Sequence, residues 1–128
     1  MEEKYAPIFP KNTFLINHSE WDSLELLVPQ IGCNSCIDRL IEKYKEYNIE
    51  TRLSMIGVRR ERDLRLSYGN EFVDNPNVKI YSDLIHKPIV EDCFGLPSLL
   101  LYTGGTIRHF CFKTDEVDAV LSYLSQNE

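Results

Sequence analysis

Two cysteines lie three positions apart in the stretch Ile31-Gly32-Cys33-Asn34-Ser35-Cys36, directly before an amphipathic run. On the first turn of a helix, thiols at this spacing share a face and can form a disulfide. One thiol can then attack the disulfide of a partner while the other resolves the mixed disulfide. Because a helix N-terminus stabilises a thiolate, we expect the pKa of Cys33 to fall below about 8.5, the value of free cysteine. The same spacing also fits half of a metal site, or two cysteines with a structural role only.

A metal site would need further ligands near this pair. Structural zinc usually has four, from cysteine and histidine. The other candidates are single residues scattered along the chain: Cys93, Cys111, His18, His86 and His109. No second close pair completes a four-ligand site, so we predict neither a metal nor a cofactor. Copper held by Cys33, Cys36 and a remote histidine stays open as an alternative.

The composition is that of an ordinary globular domain. The chain has 128 residues, of which 43% are hydrophobic and 27% charged, enough for one core. Its net charge of -6 disfavours nucleic-acid binding, because no basic field attracts phosphates. The arginine-rich stretch 58–65 is interrupted by acids and is typical of a solvated helix face.

Neither a membrane span nor an export signal is recognisable. No run of about eighteen apolar residues is present, so we predict no membrane span. Residues 1–7 lack the apolar core of a signal peptide. This predicts a cytoplasmic protein, or a cell-envelope protein from which an export signal was trimmed. Four cysteines are too few for a disulfide scaffold at this length.

Hydrophobic periodicity divides the first half of the chain into alternating strands and helices. Residues 1–12 form an irregular lead-in. We predict strands at 13–17, 23–28 and 49–56, a second helix at 58–67 and a short strand at 78–81. The first helix follows the cysteines and ends near Asn48. Its apolar stripe consists of Ile37, Leu40, Ile41 and Tyr44.

The last part of the chain predicts a β-hairpin and a closing helix. Residues 99–102 are apolar, Thr103-Gly104-Gly105-Thr106 supplies a turn, and residues 107–112 return as the second strand. The closing helix begins at Thr114 or Asp115, and its stripe consists of Val117, Val120, Leu121 and Leu124. The first half is a βαβ unit with parallel strands, whereas the hairpin adds antiparallel ones. We therefore predict one α/β domain over residues 13–128, with a mixed central sheet flanked by helices on both faces.

Three features together resemble the thioredoxin-like superfamily. The first is Cys33-Asn34-Ser35-Cys36 between a buried strand and an amphipathic helix. The second, residues 95–102, is similar to the segment where these proteins place a cis-proline before a strand. The third, residues 102–107, is similar to the tight turn of the family's terminal hairpin. The interval from Cys36 to Pro97 is closer to that of envelope thiol-disulfide reductases than to that of a minimal thioredoxin.

The resemblance implies a thioredoxin-like fold and a role for each residue of this site. Cys33 is expected to be the nucleophile and Cys36 the resolving thiol. Pro97 is expected to follow a cis peptide bond, which is uncommon even before proline. The backbone of Leu96 is expected to pair with an extended substrate chain. The other residues expected to contact the substrate are Gly32, Asn34 and Ser35.

Two positions depart from the family pattern. Gly32 stands where reductases of the family often have tryptophan, and Leu27 stands where thioredoxins proper have a buried aspartate. Glu25 is the nearest acid on that strand. These departures predict a specialised exchange partner rather than an ordinary thioredoxin, and they also fit a redox-inactive protein of the same fold.

We therefore predict a protein thiol-disulfide oxidoreductase whose Cys33 and Cys36 exchange with a protein dithiol or disulfide and serve cell redox homeostasis. The alternative is a binding module of the same fold with structural or metal-binding cysteines. A peroxidase with Cys33 as the peroxidatic thiol would also need a threonine and an arginine beside it, and the sequence places neither there.

The two remaining cysteines have their own interpretations. Cys93 lies four residues before Pro97 and is either a third functional thiol or a buried cysteine. Cys111 is predicted to pack on one face of the hairpin together with Ile107 and His109.

Overall fold

A computed structural model describes residues 22–31 and 34–126. The predicted lead-in 1–12, the predicted strand 13–17, Gly32 and Cys33 lie outside this part of the chain. In chain order the elements are β1 (Ser23–Pro29), α1 (Asn34–Glu46), β2 (Arg52–Ile56), α2 (Glu61–Tyr68), α3 (Asn70–Val73), β3 (Val78–Ile80), α4 (Lys87–Asp92), β4 (Ser98–Thr103), β5 (Thr106–Cys111), a 3-10 turn (Thr114–Glu116) and α5 (Val117–Gln126).

The five strands form one mixed sheet in the order β3-β2-β1-β4-β5. β1 pairs parallel with β2, and β2 pairs parallel with β3, as the predicted βαβ unit requires. β4 runs antiparallel to both β1 and β5. In register, Leu26 of β1 lies between Leu53 of β2 and Leu99 of β4. The strand that leads to the cysteine motif is therefore the central one.

Helices cover both faces of this sheet, because side chains alternate along β1. Leu26 and Val28 pack in the larger core, which also takes its apolar side chains from α1, α2, α3 and α5. Leu27 points to the opposite face, where it packs with Val90 of α4. The predicted α/β architecture, with a mixed sheet and helices on both faces, is confirmed.

The apolar stripes predicted for the first and last helices are buried. Each stripe residue of α1 and of α5 is at most 2% exposed: Ile37, Leu40, Ile41, Tyr44, Val117, Val120, Leu121 and Leu124. α1 ends two residues before Asn48, which has a positive φ of 53°. Asparagine tolerates this left-handed conformation better than most residues do. Periodicity therefore placed both helices correctly.

The hairpin is also as predicted, with Gly104 and Gly105 between β4 and β5. Gly104 has a φ of 48°, and its N–H donates a hydrogen bond to the carboxylate of Asp22 at 2.8 Å. A side chain disfavours this φ, which is why the turn uses glycine. The hairpin therefore begins and ends where the apolar runs predicted it.

Two short helices were not predicted. α3 follows α2 after Gly69, which separates the two helices. α4 begins at Lys87, and Pro88 lies in its first turn. Proline suits that position because the first N–H groups of a helix have no intrahelical acceptor. None of the helices in the described part of the chain is long and apolar enough to cross a bilayer.

Candidate functional site

The cysteine motif lies where the central strand ends and α1 begins. The N–H of Gln30 donates to the carbonyl of Ile56 at 2.9 Å, which extends the pairing of β1 with β2 by one residue. Ile31 follows and is 58% exposed. Asn34 and Ser35 begin α1 and are exposed.

Cys36 occupies the first turn of α1 and is 2% exposed. It is disulfide-bonded, so its sulfur does not titrate as a thiol in this form. The other cysteine of the motif, Cys33, lies outside the described residues. The sequence predicted that Cys36 lies at the start of this helix, and the structure places it there, on the buried side.

Thr114 is a site residue that the sequence did not reveal. It belongs to the 3-10 turn before α5, and its Oγ1 lies 2.8 Å from the Sγ of Cys36. The sequence identified Thr114 only as a possible helix start. The two residues are 78 positions apart, and no local pattern connects them. The hydroxyl is placed to donate a hydrogen bond to this sulfur.

The predicted proline segment reaches the same edge of the sheet. β4 runs antiparallel to β1, with Ser98 opposite Leu27, so β4 starts beside the end of β1. The carbonyl of Pro97 accepts a hydrogen bond from the N–H of Phe112 at 3.0 Å. Leu96 and Pro97 therefore lie at the edge that also holds the start of α1.

The predicted cis bond before Pro97 is wrong. No peptide bond among residues 22–31 and 34–126 is cis, so the Leu96–Pro97 bond is trans. The chain turns earlier, at Phe94 and Gly95, which have φ values of 52° and 80°. The N–H of Leu96 donates to the carbonyl of Cys93 at 2.9 Å. Because the chain has already turned at Phe94 and Gly95, Pro97 leads into β4 through a trans peptide bond. For a bond before proline, the trans form is favoured over the cis form by about 0.5–1 kcal/mol.

This turn also corrects the role expected for Leu96. Its N–H bonds within the protein, so that half of its backbone does not pair with a substrate chain. The residue is partly exposed and lies beside the motif. The prediction that Leu96 contacts a substrate chain is thereby limited to its carbonyl and its side chain.

Cys93 and Cys111 form a disulfide that was not predicted. Their Cα atoms are 5.4 Å apart, and 18 positions separate them in sequence. Cys93 directly follows α4 and is 1% exposed, whereas Cys111 ends β5 and is partly buried. Cys93 is therefore not a free third thiol. The predicted shared face is confirmed, since the register places Ile107, His109 and Cys111 at alternate positions of β5.

Glu25 is buried, but it lies away from α1. Its side chain faces the same side of the sheet as Leu27, opposite the face that α1 covers. It accepts hydrogen bonds from Ser54 and, at 2.6 Å, from the phenol of Tyr102. Burial and the bond to Glu25 raise the pKa of Tyr102. Glu25 is thus hydrogen-bonded to neighbouring strands, on the face of the sheet opposite the one that α1 and Cys36 cover.

The charged residues of α1 that follow the motif pair with other helices. Tyr68 donates a hydrogen bond to Asp38 at 2.7 Å, and burial together with this bond raises the pKa of Tyr68. Arg39 pairs with Asp118 of α5, and this hydrogen bond holds the pKa of Asp118 below its usual value. Asp38 is exposed.

The structure therefore brings Cys36, Thr114 and Pro97 to one edge of the sheet, and keeps Glu25 away from them. No protein-family model, curated protein or solved structure matches this chain.

Proposed function

We propose that this protein carries out thiol-disulfide exchange with protein partners through Cys33 and Cys36. The observation that carries the proposal is the state and place of Cys36. It is disulfide-bonded in the first turn of an amphipathic helix that follows the central strand. Cys93 and Cys111 bond to each other, and the exchange partner that we propose for Cys36 is the other cysteine of the motif, Cys33.

The two sulfurs have different roles in the proposed reaction. In the reduced protein, the Cys33 thiolate attacks a partner's disulfide and forms a mixed disulfide, releasing one partner thiolate. Cys36 then gives its proton to the released partner thiolate and attacks Cys33, which releases the second partner thiolate. The net change oxidises Cys33 and Cys36 and reduces the partner by two electrons. The burial of Cys36 suits the resolving role, since a substrate cannot reach its sulfur first.

The arrangement of strands and helices around the motif supports a thioredoxin-like role for the site. The motif follows a central strand, the sheet is mixed, and the chain closes with an antiparallel hairpin and a helix. Pro97 directly precedes β4 at the edge that holds the motif. Asn34 and Ser35 are exposed there, where a partner chain can contact them.

One observation favours a second function, a redox-inactive binding module of the same fold. The Leu96–Pro97 bond is trans, and the N–H of Leu96 is already bonded to Cys93. A module of this kind would keep Cys36 in a structural disulfide and bind its partner without exchange. The two functions differ in whether the motif can be reduced while the protein stays folded.

The deciding experiment is the reduction potential of the motif in the full chain. The protein is equilibrated across a dithiothreitol or glutathione series, its thiols are trapped, and each cysteine is mapped by mass spectrometry. Exchange predicts a reversible two-electron transition at Cys33 and Cys36, separate from that of Cys93 and Cys111. A value near about −270 mV indicates a reductase, and one near about −120 mV an oxidase.

Serine variants give the matched controls. Cys36→Ser should trap mixed disulfides with the partner, because the resolving thiol is gone, whereas Cys33→Ser should form none. If the motif stays oxidised until the protein unfolds, or if both variants behave alike, exchange is excluded and the binding module is supported.

A further inference from the structure

A second group of ligating side chains lies on the face of the sheet that α4 covers. The sulfurs of Cys93 and Cys111 and a ring nitrogen of His109 all lie within 4.8 Å of one another. Two of the three residues are on β5, at alternate positions, and the third directly follows α4. Their backbones are therefore held by the sheet and by a helix end.

His109 is 1% exposed, so its imidazole lies entirely inside the protein. Its Nε2 is 3.7 Å from a carboxylate oxygen of Asp92, the last residue of α4. A histidine that ligates a metal commonly has a carboxylate as the partner of its other ring nitrogen, which fixes the orientation of the ring. The group therefore holds two sulfurs and an imidazole within 4.8 Å of one another, with a carboxylate 3.7 Å from the Nε2 of that imidazole.

We propose that reduction of the Cys93–Cys111 disulfide converts this group into a zinc site with Cys93, His109 and Cys111 as ligands. A dithiol reductant is oxidised to its disulfide and delivers two electrons and two protons to the two sulfurs. Zn²⁺ then binds both thiolates, and two protons leave to solvent. Solvent fills the fourth position, and Asp92 orients His109. This proposal goes beyond thiol exchange at Cys33 and Cys36 and does not depend on it.

The donor set and the geometry suit zinc. Two thiolates and one imidazole with an open fourth position form a known zinc ligand set. With zinc-sulfur bonds of about 2.3 Å, a tetrahedral site separates two sulfurs by about 3.8 Å. The Cα atoms of the two cysteines are 5.4 Å apart, so side-chain rotation achieves this separation. Hard cations such as Mg²⁺ prefer oxygen ligands and are disfavoured here.

The site is also accessible to a reductant and to an ion. Cys111 is partly buried rather than fully buried, and the side chain of Asp92 is 40% exposed. A reductant therefore attacks at Cys111, and the ion enters past Asp92. Cys93 and His109 form the closed side of the site.

The test uses Co²⁺ as a spectroscopic substitute for Zn²⁺ in the full chain. The variant Cys33→Ser/Cys36→Ser removes the other thiols that could bind metal. After reduction under anaerobic conditions and removal of the reductant, we expect one Co²⁺ per chain with a thiolate-to-cobalt charge-transfer band. The oxidised protein should show no such band. Zn²⁺ should displace the cobalt and raise the melting temperature of the reduced protein, but not that of the oxidised protein.

Two substitutions at the site and one control substitution, all in this background, separate a built site from adventitious binding. His109→Gln should weaken Co²⁺ binding more than tenfold, while His86→Gln, on the loop before α4, should leave it unchanged. Asp92→Asn, at a partly exposed position, should weaken binding about 10- to 100-fold without unfolding the protein. The proposal is overturned if the folded protein resists reduction, if the reduced form binds no cobalt, or if Asp92→Asn and His109→Gln both bind as the parent does.

Discussion

At the residue scale, the contact between Thr114 and Cys36 gives the motif a hydrogen-bond donor from a distant part of the chain. The hydroxyl lies 2.8 Å from the sulfur and comes from the turn that follows the hairpin. When the disulfide is reduced, the hydroxyl stabilises the reduced form more than the disulfide, because the Cys36 thiol can both accept a hydrogen bond from Thr114 and donate one to it, whereas a disulfide sulfur can only accept. Thr114 is therefore a positioning residue for the proposed exchange.

Thr114→Val should make the reduction potential of the motif more negative, since it removes this stabilisation of the reduced form. A hydrogen bond of about 1 kcal/mol corresponds to about 20 mV for a two-electron couple. The measurement is the potential obtained by thiol trapping and mass mapping. Thr114→Ser keeps the hydroxyl and should keep the parent potential. Equal potentials in the parent, serine and valine proteins would contradict this role.

The buried carboxylate of Glu25 shows that the role assigned to a residue depends on the face of the strand on which its side chain lies. From sequence it was the nearest acid on the strand before the motif, yet alternation along β1 places it with Leu27 and not with Leu26. Its partners are Ser54 and Tyr102 on the neighbouring strands, together with Arg52 at 3.3 Å. A shift of one position would reverse its face, which is why register decides its role.

At the element scale, the accuracy of prediction followed the length and periodicity of each element. α1 and α5 have full apolar stripes and were predicted, whereas α4 has six residues with Val90 as its single buried residue. A pattern of that length contains no repeat to detect. The pairing of Cys93 with Cys111 depends on α4, which brings Cys93 to the end of β5, so it was missed together with that helix.

The Cys93–Cys111 disulfide links the end of α4 to the end of β5 across the hairpin. Closing a loop of this length restricts the unfolded chain by about 3 kcal/mol in the loop-entropy description. We expect Cys93→Ala/Cys111→Ala to lower the free energy of unfolding by about that amount. Chemical denaturation monitored by circular dichroism measures the change.

The matched comparison for that variant is the parent protein with the same disulfide reduced. Reduced parent and double-alanine protein should have similar stability in the presence of a chelator. If the double-alanine protein is as stable as the oxidised parent, the Cys93–Cys111 disulfide contributes nothing to the free energy of unfolding.

At the scale of the whole molecule, two tyrosines make stability depend on alkaline pH. Burial, followed by a hydrogen bond to a carboxylate, raises the pKa of both Tyr68 and Tyr102 in the folded state. In the unfolded chain a tyrosine ionises near pH 10, at about its reference pKa. Their contribution to stability is therefore complete below about pH 10 and is lost as the pH rises further, through the folded-state pKa values.

We expect the free energy of unfolding to fall above about pH 10, because unfolding then releases one proton from each of these phenols. Tyr68→Phe/Tyr102→Phe should make this fall shallower by two protons, and each single variant by one. Denaturation curves recorded at several alkaline pH values give the slopes. Tyr81→Phe, at an exposed tyrosine, is the control and should leave the slope of the parent. A double variant with the parent's slope would contradict the assignment.

The whole-molecule architecture was predictable because alternation and amphipathic stripes report burial directly, as the core around Leu26 and Ile37 shows. The site was predictable only in part. The spacing between Cys33 and Cys36 identified Cys36 as a candidate from sequence. The contact between Thr114 and Cys36 joins residues far apart in the chain, and no sequence pattern indicated it. The trans bond before Pro97 follows from the turn at Phe94, which no sequence pattern specified.

The strand order also determines a vulnerable stage during synthesis. β1 is central in the finished sheet, yet its partner β4 begins only at Ser98. A ribosome releases β1, α1, β2 and β3 before that partner exists. Until then one edge of the apolar strand Ser23–Pro29 is open to strands of other nascent chains. The C-terminal hairpin therefore protects β1 from aggregation as well as completing the sheet.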